Sequence, residues 1–368
     1  MRPVPAPPEP TQPPVPPSAR ELRLALPRGL GVALGWLVVF LLLSAVLLRE
    51  TVEPRQLLAV WEHARVTPLI TGFLLLFGGV GFMALRWRAL LPRPERVDRL
   101  GMLGIVASGQ LLNMALPGPV GELVAAGLVQ RRYGIDAAHA LAASIHARFV
   151  GVTIAALVTL VVWLTAPLPI PGGARPLVLV AVVMVCLWGV GLGVIAAWPA
   201  LLVAPCRAVE ARFEGRTPGM VLRWVLRAFT MGRRFGEALS SMGRQIGLPH
   251  LAAAGWNLCG LASVTIGSWI VAWALGDPGS VVGYLFTHSA VTAGAIILFA
   301  LPGAQVGWDA AFASLLVAAV GLPVEQALAV TVLVRVQQLV SVALGAVALP
   351  MVARPDGPRE GAMPAETG

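Results

Sequence analysis

Long apolar segments alternate with short polar ones along most of this chain. Two apolar stretches, at about 102–130 and 281–320, are interrupted by Leu-Pro-Gly turns, and the pieces of the first stretch are too short to span a bilayer separately. Six other segments reach the roughly 20 apolar residues that a crossing requires. They lie near 30–48, 66–85, 137–166, 177–203, 250–275 and 324–349. We therefore predict an all-α polytopic membrane protein with about six full spans plus two broken-helix, re-entrant hairpins.

The two broken stretches also share a pattern of charged and small residues. The matched positions are the Leu-Pro-Gly turns at 116–118 and 301–303, Glu122 and Asp309, the Ala-Leu-Ala runs at 140–142 and 327–329, and Arg148 and Arg335. The offset is a constant 187 residues from the Ala-Leu-Ala runs onward. An arginine within hydrocarbon is penalised by about 2.5–3.5 kcal/mol or more, so its presence at the same place in both copies indicates a genuine duplication.

The number of spans between the copies predicts how they are related. Three spans separate the two hairpins, and an odd number places the second copy upside down relative to the first. The repeat halves then cover about 66–166 and 250–349. Inverted repeats with broken helices near the midplane are typical of alternating-access transporters.

Arginine placement predicts the orientation of the chain. If the N-terminus is cytoplasmic, 21 of the 27 arginines fall in inside segments, four fall outside, and Arg148 and Arg335 lie within the membrane. We expect a multi-pass protein of the bacterial cytoplasmic (inner) membrane with both termini in the cytoplasm. Residues 1–27 are expected to be a disordered, proline-rich tail, 28–349 a membrane transport domain, and 350–368 a second cytoplasmic tail.

Composition limits the kinds of chemical reaction that the chain could perform. Hydrophobic residues make up 57% of the chain, and all 27 basic residues are arginine. Without lysine there is no phosphate-binding P-loop and hence no ATP motor in this chain. The three cysteines are far apart, and no nucleophile–base arrangement, metal cluster or cofactor motif is present in the sequence. We therefore expect a protein that is not an enzyme and that uses no cofactor or metal.

A basic segment at 206–248 interleaves eight arginines with apolar residues. This composition suits an amphipathic segment lying on an anionic lipid leaflet. Nucleic-acid binding would also fit the charge, but a membrane protein does not require it, and we expect no nucleic-acid partner.

Each Leu-Pro-Gly turn ends one half-helix and begins another, whose free N–H groups would face the membrane interior. Glu122 lies in the first turn of the first such half-helix, and Asp309 is expected at a similar place in the second. They could merely stabilise helix N-termini, or they could pair with Arg148 and Arg335, either within each repeat or crosswise. The candidate substrate-binding residues are Asn113, Gly118, Gly121, Glu122, Arg148, Gly303, Gly307, Asp309 and Arg335.

Histidines could add proton coupling to this site. His146 lies two residues before Arg148, where it could take part in proton transfer or form a structural hydrogen bond. For His288, in the second broken stretch, we expect a packing role with its hydrogen bonds satisfied.

The motif at 86–91 (Arg-Trp-Arg-Ala-Leu-Leu), the run from Asn113 to Glu122, and the second block from Leu301 to Arg335 resemble the membrane part of the lysylphosphatidylglycerol synthase and flippase-like family. The resemblance covers roughly residues 30–349, and we expect no aminoacyl-transferase domain. It implies movement of a polar-headed lipid between leaflets. The acidic residues that often flank the family's intramembrane arginine are absent near Arg148, so an aminoacylated phosphatidylglycerol is not assumed as the substrate.

Three functions fit these patterns. The first is a flippase-like protein that moves a membrane phospholipid with an anionic or aminoacylated head group without hydrolysing ATP. The second is a secondary transporter of a small soluble substrate. The third is a non-catalytic membrane partner of a lipid-modifying enzyme.

Overall fold

The computed structural model describes residues 60–115, 120–173, 175–198, 200–213, 247–298 and 304–352, with a few isolated positions at 229–240. The predicted span near 30–48, both Leu-Pro-Gly turns and nearly all of the two predicted tails lie outside these residues. The helices are α1 (Val66–Leu90), α2 (Arg99–Ala115), α3 (Val120–Tyr133), α4 (Ala137–Thr165), α5 (Arg175–Ala197), α6 (Ala200–Phe213), α7 (Leu248–Leu275), α8 (Val281–Leu298), α9 (Ala304–Leu315) and α10 (Val324–Val352). A 3-10 turn (Pro94–Arg96) precedes α2, and a π-helical turn (Leu316–Val320) extends α9. The described residues contain no strand.

Within the described residues, four helices, α1, α4, α7 and α10, are long and apolar enough to cross a membrane. Three predicted boundaries need correction. Helix α1 continues to Leu90 because Trp87 and Leu90 extend its buried face, and α10 runs to Val352, beyond the predicted end at 349. The predicted span 177–203 is divided, since α5 ends at Ala197 and Trp198, which precedes a proline, leaves the helix.

Helices α1 and α7 are antiparallel and closely packed, with small residues facing each other at the contact. A Cβ added at Gly72 would lie 2.9 Å from the carbonyl oxygen of Gly267, and one added at Gly267 would lie 3.0 Å from that of Gly72. Further along, Ser263 Oγ donates a 2.6 Å hydrogen bond to the Leu75 carbonyl. Close backbone approach through small residues is the usual way in which membrane helices associate.

Helices α1–α4 and helices α7–α10 make the same set of contacts with one another. Within each set, consecutive helices pack on one another, and the first also packs on the fourth. Between the sets, α2 packs on α10 as α8 packs on α4. Helix α5 lies outside this scheme and covers α4 and α8. The bundle therefore has two similar halves joined along α1 and α7.

A polar cluster ties the start of α2 to the end of α3. Tyr133 Oη donates a 2.6 Å hydrogen bond to Asp98, the Gly101 amide donates another at 2.5 Å, and Arg132 lies 3.6 Å away. Burial alone would raise the pKa of Asp98, but these hydrogen bonds and the positive charge of Arg132 hold it below its usual value. The two short helices are thus fixed to each other at the end opposite the break.

Candidate functional site

Glu122 is buried, with 8% of its surface exposed, and it lies in the first turn of α3 as predicted. Its carboxylate accepts hydrogen bonds from three side chains on two other helices. Asn113 Nδ2 of α2 donates at 2.9 Å, and Ser144 and Arg148 of α4 donate the other two. The carboxylate of Glu122 therefore joins α2, α3 and α4 where the end of α2 meets the start of α3.

Local sequence explains this convergence. Ser144 and Arg148 are four residues apart, so they project from the same face of α4. Asn113, near the end of α2, also accepts a 2.8 Å hydrogen bond from the backbone amide of Gly121. Burying one charge alone is strongly unfavourable, whereas an ion pair with its remaining hydrogen bonds filled is tolerated.

A cavity opens beside the Glu122–Arg148 pair. It is lined by Met83, Arg86, Trp87, Val106, Gly109, Gln110, Glu122, Ala125, Ser144, Ala147 and Arg148. Arg86 was missed by the sequence reasoning, which counted it among the arginines of a cytoplasmic loop. The signal was present in its apolar neighbours at helical spacing, Met83 and Leu90, which continue α1 past residue 85.

The second ion pair joins Asp309 of α9 to Arg335 of α10, and its two members are 26 residues apart, as in the first pair. Arg335 Nη2 lies 2.5 Å from Asp309 Oδ1, and Nε lies 3.2 Å from both carboxylate oxygens. Gln338 accepts a 2.6 Å hydrogen bond from Nη1, and the guanidinium lies 5.5 Å from the ring centroid of Trp308. Each acid therefore pairs with the arginine of its own repeat half, not crosswise.

The two pairs differ in their setting. Asp309 is the sixth residue of α9, so the expectation that it lies in the first turn of its helix was wrong. The reason is that α9 begins at Ala304, immediately after the glycine of the turn. Thr331, at the position equivalent to Ser144, donates to the Ala327 carbonyl of its own helix instead. Among the described residues, the first acid thus has more hydrogen-bond donors than the second.

Of the four glycines proposed for the site, Gly121 has a clear packing role. A side chain there would overlap the Gly109 carbonyl and the Asn113 amide, so glycine permits α2 and α3 to meet. Gly307 is half-buried in the first turn of α9. Gly118 and Gly303 lie outside the described residues.

The histidines differ from one another. His146 is buried, yet neither ring nitrogen has a hydrogen-bond partner among the described residues, so the structural hydrogen bond considered for it is not found there. Its ring packs edge-on against His250 at a centroid distance of 5.1 Å. His288 has the expected packing role, with a 2.8 Å hydrogen bond to Ser268 and a contact with Phe312.

The basic segment 206–248 is described only in part. Arg207 lies 2.9 Å from Glu237, and Arg233 lies 2.8 Å from Glu210 and 3.0 Å from Glu237. Some of the positive charge in this segment is therefore compensated within the protein.

Apolar helices of spanning length with partly buried ion pairs between them are typical of an integral membrane protein. The family model described as "Lysylphosphatidylglycerol synthase TM region" matches residues 29–345, and the chain belongs to this family. This confirms the resemblance seen in the sequence. No curated protein and no solved structure matches the chain.

Proposed function

We propose that this protein moves a polar-headed lipid between the two leaflets of a bacterial inner membrane, without hydrolysing ATP. The observation that carries the proposal is the Glu122–Arg148 pair, in which the glutamate is buried and the arginine is partly buried. It lies where α2 meets α3 and is matched by Asp309–Arg335 in the other half. Ionisable side chains inside a membrane are usually functional because they are costly to keep there.

The architecture supports alternating access. In the proposed scheme, α1–α4 and α7–α10 are inverted repeats, a relation that agrees with the antiparallel packing of α1 on α7 and with the matching contacts in the two halves. The hairpins α2–α3 and α8–α9 are the two broken elements. The polar head would pass between them while the acyl chains stay in the bilayer.

Arg148 provides the direct test. Purified protein in liposomes, with a fluorescent phosphatidylglycerol and a membrane-impermeant quencher, reports transbilayer lipid movement. We expect Arg148→Gln to lower the rate by about tenfold or more, the effect of losing one charge-assisted hydrogen bond. The matched control is Arg99→Gln, which removes the same charge at an exposed position.

Equal rates in wild type and Arg148→Gln, with Arg99→Gln also unchanged, would contradict the site. Wild-type protein that moves no lipid would instead favour a soluble substrate or a role as a membrane partner of a lipid-modifying enzyme.

A further inference from the structure

The cavity beside the first ion pair contains more positive than negative charge. Arg86 and Arg148 both line it, whereas Glu122 is its one acidic lining residue. Arg86 donates a hydrogen bond to the neutral side chain of Asn257, and its buried Nε has no partner among the described residues. Within that part of the chain, no carboxylate lies within ion-pair distance of Arg86.

We propose that Arg86 and Arg148 together bind the phosphate of an anionic ligand in this cavity. A guanidinium is suited to phosphate because its planar set of N–H donors matches two phosphate oxygens at once. Two guanidinium charges that line the same low-dielectric pocket repel each other, and a bound anion would offset this repulsion. Under the proposed function, on which this inference rests, the phosphate belongs to a lipid head group.

Glu122 occupies the place that this phosphate would need. The cavity has a volume of about 30 Å³, room for one or two water molecules, so a head group enters only when side chains move. The phosphate replaces the Glu122 carboxylate on Arg148, and the carboxylate keeps its hydrogen bonds from Asn113 and Ser144. The ion pair thus closes the site in the absence of the ligand.

Gly151 positions Arg86. A Cβ at this residue would lie 2.5 Å from Arg86 Nη1 and 2.8 Å from the Asn257 side-chain oxygen. Only a residue without a side chain leaves room for the guanidinium at this place on α4. Gly151→Ala therefore displaces the arginine head without removing its charge.

At the second ion pair, positive charge does not exceed negative charge among the residues described. Arg335 is held by Asp309 and Gln338 and lies against Trp308. Each charge has an opposite partner there, so the structure assigns phosphate binding to the first half of the molecule.

The test measures ligand binding to the full-length protein in a non-ionic detergent. The probes are dihexanoyl-phosphatidylglycerol, which carries a net negative charge, dihexanoyl-phosphatidylcholine, which carries none, and inorganic phosphate. The variants are Arg86→Gln, Gly151→Ala and the exposed control Arg99→Gln. Gly151→Ala keeps the test decisive if Arg86→Gln fails to fold.

We expect wild type and Arg99→Gln to bind the anionic lipid more tightly than the zwitterionic one. Arg86→Gln should weaken anionic-lipid binding by about tenfold or more, and Gly151→Ala should weaken it in the same direction. Equal affinity of all four proteins for phosphatidylglycerol would overturn the inference.

Two further outcomes separate this inference from the proposed function. Binding of inorganic phosphate that depends on Arg86, without binding of either lipid, would support the anion site and overturn the lipid substrate. Lipid movement in liposomes that is unaffected by Arg86→Gln and Gly151→Ala would leave the proposed function intact and overturn the role of Arg86.

Discussion

Glu122 accepts hydrogen bonds from side chains of two neighbouring helices, and Arg148 is the positively charged residue among these partners. Pairing with Arg148 was one of the alternatives that the sequence left open, and the structure selects it. Asn113 was a predicted substrate-binding residue, and its hydrogen bond to Glu122 was not anticipated. Ser144 was not predicted, although its spacing from Arg148 places both on one helix face. Arg86 was not predicted as a site residue, because the count of arginines on each side of the membrane does not distinguish an arginine in a loop from one near the end of a helix.

The coupling between Glu122 and Arg148 can be measured by a double-mutant cycle. Arg148→Gln leaves the buried Glu122 charge uncompensated and should lower the free energy of unfolding by about 3–5 kcal/mol. Glu122→Gln leaves the charge of Arg148, which is partly exposed, and should cost less. The double variant removes both charges, so it should lose clearly less than the sum of the two single losses. Thermal unfolding in detergent provides the measurement.

A cycle with the control Arg99→Gln in place of Arg148→Gln should show additive effects, because Arg99 is exposed and is not among the hydrogen-bond donors to Glu122 described above. Additivity for Glu122 and Arg148 as well would show that the pair contributes no coupling.

At the scale of helices, both Leu-Pro-Gly turns lie outside the described residues, and the helices on either side of each turn pack on one another. Helix α2 ends at Ala115 and α3 begins at Val120, while α8 ends at Leu298 and α9 begins at Ala304. The predicted ends of the helices were less accurate. Helices α1 and α10 continue past their predicted limits because residues beyond those limits are buried against other helices. The division of α5 from α6 was also missed, even though a proline marks it.

The contact between α2 and α3 depends on Gly121, and a matched glycine on the same helix makes this testable. Gly121→Ala should destabilise the protein by about 1–3 kcal/mol or more, because the added methyl overlaps the backbone of α2. At Gly127 an added Cβ meets nothing within 4 Å, so Gly127→Ala should be neutral or stabilising by up to about 1 kcal/mol. Melting temperatures of the two variants in detergent give the comparison.

Equal melting temperatures for the two alanine variants would mean that α2 and α3 can separate without loss of stability. In that case the close approach at Gly121 would not be needed to hold the break together.

At the scale of the whole molecule, the two halves were predicted from a repeated pattern of eight positions. The matching contacts of α1–α4 and α7–α10 agree with that prediction. The described part of the chain contains four helices that meet the length and hydropathy of a span, and the predicted first span lies outside it. The orientation in the membrane stays a prediction from arginine counts.

A membrane potential tests whether the transported head group is charged. Moving one elementary charge through 100 mV changes its free energy by about 2.3 kcal/mol, which corresponds to about 50-fold at equilibrium. With an imposed inside-negative potential, we expect phosphatidylglycerol to accumulate in the outer leaflet of liposomes that contain this protein. A zwitterionic lipid should show no such shift.

Liposomes without protein serve as the control for leakage of the probe. An unchanged distribution of phosphatidylglycerol under the potential, despite active lipid movement, would mean that a compensating ion moves with the lipid.

Local sequence was enough to predict an all-helical membrane protein and to select the charged residues of the two ion pairs. These follow from local physics: apolar length, the backbone limits of proline and glycine, and the cost of a charge in hydrocarbon. Which of these charges meet was evident from the folded protein alone. The pairing within each half, the approach of Arg86 to Arg148 and the space provided by Gly151 depend on how distant helices pack, which the local sequence does not encode.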